Sequence, residues 1–211
     1  MMFPPPPEDD IIRILGIDPG TDTVGFCIMD VHCETYETRI VWMHTFHAAK
    51  SYQEYTGLED FRGHRDPQLK AISDFLMKVL IATEPLLIGA ESPFFQYGRV
   101  SAFEALVEVY AMLRETVWRY SPALLLRRID PFTAKAAVGA SHTAEDKKKA
   151  VRDGVEKHFN DKCLPGVVFD EQEEHAIDAV SVANAVRRMC LFNEVLREIK
   201  KKKGKKKFKK K

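Results

Sequence analysis

The stretch RILGIDPGTDTVGF, residues 13–26, decides the fold. Ile11 to Ile17 is an apolar run of strand length that ends on a lone carboxylate, Asp18, before Pro19 and Gly20 turn the chain. Past the short TDT turn, Val24 to Asp30 supplies a second strand within hairpin distance, and TRIVWMHTF (38–46) predicts a third. A carboxylate closing a buried strand is costly unless it is paired, capped or bound to a cation.

Further along, PQLKAISDFLMKVLIAT (67–83) places Leu69, Ile72, Phe75, Leu76 and Val79 at helical spacing. PLLIGAE (85–91) then reads as a short buried strand, and it too ends on a carboxylate, Glu91. A long helix over 101–120, a strand at ALLLRRI (123–129) and a short helix at PFTAKAAV (131–138) follow. TAEDKKKAVRDGVEKHF (143–159) predicts a helix capped by Thr143. In the last long helix, from about residue 170, Ala176, Ala179, Val180 and Ala183 form a small-residue face suited to lie closely on a sheet. Three hairpin strands followed by alternating helix and strand units predict an α/β fold, a mixed sheet with helices on its faces. The polar segment 47–66 is longer than a routine connection and reads as a loop or insertion.

At 211 residues and 45% hydrophobic, the chain has room for one substantial core. The expected organisation is a Pro-rich leader over 1–10 that does not pack, one domain over 11–199, and a low-complexity cationic tail over 200–211. The net charge of +1 conceals a division: the Lys200 to Lys211 tail holds 10 of the 32 basic residues and none of the 31 acidic ones. The remainder carries 22 basic against 31 acidic residues, a net −9. An acidic body with a polycationic arm suggests a polyanionic partner such as nucleic acid, against a solubilising or nuclear-targeting tail.

Cys27, Cys33, Cys163 and Cys190 lack paired metal-type spacing, and no secretory apolar segment precedes Arg13. The expectation is a reducing, intracellular setting: cytoplasmic, or nuclear or organellar in a eukaryote. No run of about 18 apolar residues predicts a membrane-spanning helix. His44 and His47 in HTFH would make half a metal site, but no partner pair follows at finger-like spacing, which leaves ordinary strand-end histidines.

His175 and Asp178 stand three apart at the start of the last helix, hence on one face. Together with Asp18 and Glu91 they make an acidic set that would repel itself unless a divalent cation neutralised it. Such a set suits two-metal phosphodiester chemistry, with oxygen donors favouring Mg²⁺ or Mn²⁺ over zinc. Each piece alone has a plainer reading: a turn at Asp-Pro-Gly, a cap at Glu91, a helix-dipole partner at DEQEE.

ILGIDPGTDTVGF, IGAESPFF, PFTAKAAVG with TAEDKKKAV, and HAIDAVSVA, in that order from Ile14 to about Arg188, resemble the successive motifs of the RuvC-type Holliday-junction resolvases of the RNase H-like superfamily. The resemblance implies an RNase H-like mixed five-stranded sheet whose first three strands are antiparallel, with helices on both faces. It implies a homodimeric, structure-selective endodeoxyribonuclease that cuts four-way and related branched DNA in pairs, leaving 5′-phosphate and 3′-hydroxyl ends. Two Mg²⁺ per site, with Mn²⁺ as substitute, would be held by Asp18, Glu91, His175 and Asp178. Many relatives carry aspartate where His175 stands and some carry histidine. Glu174 is a candidate to share that residue's duty. Lys135, with Lys147 or Lys148, matches lysines near the scissile phosphate, against a solvated helix face for the run at 147–149. Phe94 falls where relatives carry an aromatic at the junction crossover, with Phe95 as competitor. Where relatives have a glycine-containing segment in the helix over 101–120, Val109, Tyr110 and Met112 are bulkier and are expected to alter dimer approach. A branch-migration partner stays unassigned.

Three rival readings belong beside this one. They are a non-catalytic junction-binding protein, a nuclease for RNA–DNA hybrids, and an actin-like phosphotransferase sharing the GIDPGT loop. The last class generally needs two such domains.

Overall fold

The computed structural model describes residues 2–51, 65–95, 97–141, 146–164 and 167–190. Strands β1 (Ile11–Asp18), β2 (Thr23–His32) and β3 (Thr38–His47) pair antiparallel in succession. After α1 (Ala48–Ser51) and α2 (Arg65–Thr83), β4 (Leu87–Glu91) joins the other edge of β1 in parallel. Helix α3 (Val100–Tyr120) crosses over to β5 (Leu126–Ile129), which is parallel to β4. The sheet order is β3-β2-β1-β4-β5, the mixed five-stranded arrangement expected. Helices α4 (Pro131–Ala137), α5 (Lys147–Phe159) and α6 (from residue 174 through 190) complete the described chain.

Alternation along each strand divides the core into two layers. Leu15, Ile17, Phe26 and Ile28 point to the face covered by α2 and α3. Ile14, Cys27, Met29 and Ile40 point to the face covered by α4, α5 and α6. Helices therefore lie on both faces. Ala176, Ala179, Val180 and Ala183 are all fully buried against this second layer.

Several expectations need correction. The leader packs: the Phe3 ring lies 5.4 Å from Trp42 and 6.4 Å from Phe75, and Pro4 is buried. Arg13, 3% exposed, explains why. It forms a bidentate pair with Asp30 directly across the β1–β2 ladder and donates also to the Thr83 and Pro5 carbonyls, so a proline run with no N–H donors supplies an acceptor. Helix α5 is capped by Asp146, whose carboxylate accepts from the Lys149 amide; Thr143 lies outside the described residues. In α3, Val109 is buried in the core, and Tyr110 and Met112, partly buried, pack against it. Among the described residues no helix is long and apolar enough to cross a membrane.

Candidate active site

The glycines two residues before each strand-end carboxylate create the site. Gly16 and Asp18 share one face of β1, and Gly89 and Glu91 share the same face of β4, because side chains alternate. A Cβ at Gly16 would fall 2.3 Å from the Ala179 carbonyl oxygen, and one at Gly25, the cross-strand partner of Asp18, would fall 1.8 Å from that of His175. At Gly89 it would meet Val186 at 2.3 Å. Helix α6 therefore lies with its backbone directly on the sheet. Its first turn, carrying His175 and Asp178, is delivered to the ends of β1 and β4.

His175 Nδ1 stands 2.7 Å from Asp18 Oδ2. Asp18 is 9% exposed, and burial raises its pKa against the opposing hydrogen bond and charge of His175. The bond to Asp18 in turn raises the pKa of His175, overcoming its own partial burial. Glu91 is pushed up to about 8, first by burial and then by the charges of Asp18 and Asp178. Asp178 is pushed up to about 7 by burial and by Asp18 and Glu174. The Lys135 ammonium, on α4, lowers the pKa of Asp18, Glu91 and Asp178 alike, so its charge reaches the whole set. Asp130 positions that helix by accepting from the Phe132 and Thr133 amides.

The structure thus gathers Asp18, Glu91, His175, Asp178 and Lys135 at one end of the interior strands β1 and β4, the acidic edge of the site. Among the described residues, no three His, Cys, Asp or Glu side chains stand in a metal-holding group. Buried carboxylates that repel one another have reason to stand apart until something positive joins them. The donor set itself, three carboxylates and an imidazole with raised carboxylate pKa values, fits a hard divalent cation.

Three consecutive residues tie the start of α6 to three different elements. Glu173 pairs with His47 at the end of β3 at 2.8 Å, Glu174 with Lys148 of α5 at 2.7 Å, and His175 with Asp18 of β1. The Glu174 contact raises the pKa of Lys148, which is 76% exposed. The Lys147 side chain and the Lys200–Lys211 tail lie outside the described residues. Sequence reasoning missed the His47–Glu173 pair, which links positions 126 residues apart with no local signal. The His44 ring lies tilted against Trp42 and Phe75, and His47 Nε2 meets Glu173 Oε1, so the two histidines of HTFH have separate partners.

Beside the carboxylates lies an exposed aromatic group. Phe94 follows β4 and is 48% exposed; Phe132, in the first turn of α4, is 52% exposed. Their rings meet edge-on at 6.0 Å. Phe95 instead contacts Phe103 of α3 at 5.6 Å. A groove of about 730 Å³ lined by the leader, Arg13 and Arg187 belongs to the opposite ends of β1 and β2, away from this chemistry.

No protein-family model matches the chain, and no curated protein does. Among solved structures, Thermus thermophilus RuvC in complex with a Holliday junction substrate superposes with a TM-score of 0.59 at 15% identity, over 82% of this chain and 92% of that one. The yeast mitochondrial Holliday junction resolvase Ydc2 gives 0.56 at 15% identity, over 84% and 78%. The fowlpox virus Holliday junction resolvase gives 0.51 at 8% identity, over 83% and 94%. At such identities the similarity establishes the fold: this chain has the RNase H-like α/β fold shared by these resolvases.

Proposed function

We propose that a chain with this fold and this acidic edge is a structure-selective endodeoxyribonuclease acting on four-way and related branched DNA. The observation that carries the reading is the convergence of Asp18, Glu91, Asp178 and His175, with the charge of Lys135, at the ends of β1 and β4. Two Mg²⁺ or Mn²⁺ ions held by those four residues would neutralise the carboxylates, activate water and stabilise the leaving oxygen. The ends left would be a 5′-phosphate and a 3′-hydroxyl. Asp18, on a rigid strand and fixed by His175, is the anchor of the set. Lys135 lies where its charge would answer that developing on the scissile phosphate. Lys148 reaches phosphate by exchanging its bond to Glu174, and Lys147 is its neighbour in that role. Phe94 offers a half-exposed ring for a base at the crossover.

Paired cuts in a two-fold junction call for a homodimer. The outer face of α3 supports one, with Val100, Val107 and Trp118 all exposed and the Arg114 guanidinium over the Trp118 ring at 5.1 Å. Counterion release by the Lys200–Lys211 tail would compensate the acidic body, adding affinity without sequence preference. A chain truncated after Ile199 should bind all DNA shapes more weakly, with a flatter salt dependence. An unchanged salt slope would remove the tail from the mechanism.

The deciding experiment presents a synthetic four-way junction, a linear duplex and an RNA–DNA hybrid to the full chain with Mg²⁺ or Mn²⁺ and maps the products. Symmetric nicks confined to the junction, lost in Asp18→Asn while junction binding persists, are expected. Junction binding without cutting by the unaltered protein would instead identify a non-catalytic binding protein, and cutting of the hybrid alone would identify the RNA-directed rival.

A further inference from the structure

We infer that Phe132 acts with Phe94 as a two-ring stacking unit that takes up an unstacked base at the branch point. The inference rests on the branched-DNA reading above and adds to it a residue for which the sequence offered no role.

The two rings come from different elements, Phe94 from the segment after β4 and Phe132 from the start of α4, just past β5. Parallel pairing of Glu91 with Ile129 brings these strand ends together, and the Ser92 amide donates to the Ile129 carbonyl at 2.7 Å. Asp130 then fixes the first turn of α4 by capping it, so Phe132 stands on a rigid support. The rings meet at 6.0 Å and 87°, an edge-to-face contact in which each constrains the other's rotation. Both remain about half exposed, although fully burying a phenylalanine stabilises a fold. The core gains little from leaving two such rings in water. A perpendicular pair offers one ring as a stacking face and the other as a wall, which suits a single flat, apolar guest. Charged groups flank the pair in sequence: Asp130 caps the turn that carries Phe132, Lys135 lies one helical turn beyond it, and Glu91 stands three residues before Phe94. A base on the rings would thus place its strand's phosphates beside Lys135 and the carboxylates.

The test uses the full chain and four-way junctions carrying 2-aminopurine at a crossover position, in an Asp18→Asn background for binding and without it for cutting. The parent protein should raise the fluorescence on binding. Phe132→Ala and Phe132→Leu should each lose most of that rise and reduce preference for junction over linear duplex by roughly tenfold. Phe132→Trp should restore both, and linear-duplex affinity should not change in any variant. Leucine keeps apolar bulk without a ring, so it separates stacking from packing. Were Phe132→Leu to keep the parent's fluorescence rise and junction preference while Phe94→Ala lost them, Phe132 would be packing alone and the inference would be overturned, with the branched-DNA reading intact. A parent protein that neither prefers the junction nor raises the fluorescence would overturn both.

Discussion

The imidazole of His175 and the carboxylate of Asp18 are 2.7 Å apart, although 157 residues separate them in the chain. That contact joins the first strand to the last helix at the acidic edge. Each group favours the charged form of the other, while burial opposes charge on both and for Asp18 outweighs the help of His175. His175→Ala leaves Asp18 buried without its partner. Cleavage should fall roughly 10- to 100-fold and more divalent cation should be needed for half-maximal rate. His175→Asp, which supplies an oxygen donor instead, should recover part of the rate. A metal titration of junction cleavage in each variant checks this.

Stability of the metal-free protein should decline as pH rises. Glu91 and Asp178 titrate near 8 and 7 when folded, above their ordinary carboxylate values, so ionising them disfavours the folded state progressively from about pH 4 to pH 8. His175, also raised, stabilises fully below its ordinary value near 6.5, and that contribution is lost as pH climbs through the folded value. Both effects have the same sign. In chelator, the melting temperature should be several degrees lower at pH 8.5 than at pH 6, and Mg²⁺ should narrow the gap. A melting temperature that rose with pH in chelator would contradict the charges assigned here.

Substitutions at the three glycines should rank by what the new methyl group meets. At Gly16 and Gly25 it meets α6 backbone, which cannot step aside, while at Gly89 the first obstacle is the Val186 side chain. Gly16→Ala and Gly25→Ala should each destabilise by about 3 kcal/mol or more, and Gly89→Ala by less. Gly25→Ala should in addition impair cleavage at temperatures where it stays folded, because the obstacle is His175 itself. Denaturant unfolding and junction cleavage on the same samples would separate the two effects.

Glu174→Gln frees Lys148 from its carboxylate partner and removes a negative charge that raises the pKa of Asp18 and Asp178. Affinity for any DNA should rise several-fold at low salt, with a steeper dependence on salt concentration. Junction preference should fall, since the gain is indifferent to shape. Salt-dependent binding to junction and duplex measures both.

The sequence made the carboxylates legible because a buried strand ending on Asp18 or Glu91 breaks the rule for its element, and such a breach is visible in one dimension. Their surroundings were harder to read. GID and GAE both carry glycine two positions before the acid, a signal that was present but that gained meaning only when α6 proved to lie on those glycines. Small residues on α6 were recognised; the matching gap in the sheet was not. The run TAED offered several capping groups within four residues, and choosing Asp146 over Thr143 required the observed bond to the Lys149 amide. Phe132 looked like any residue of a short amphipathic helix until its ring was found beside Phe94.

The docked leader changes where the folded unit begins. Phe3 covers Trp42 and Phe75, and Pro5 accepts a bond from the buried Arg13, so a chain trimmed to Ile11 would uncover aromatic surface and leave that guanidinium short of an acceptor. Anyone shortening this protein for crystals or spectroscopy should cut before Phe3 and place any affinity tag there. Phe3 packs in the layer under α2 and α3, on the face of the sheet opposite the one where α6 meets Asp18.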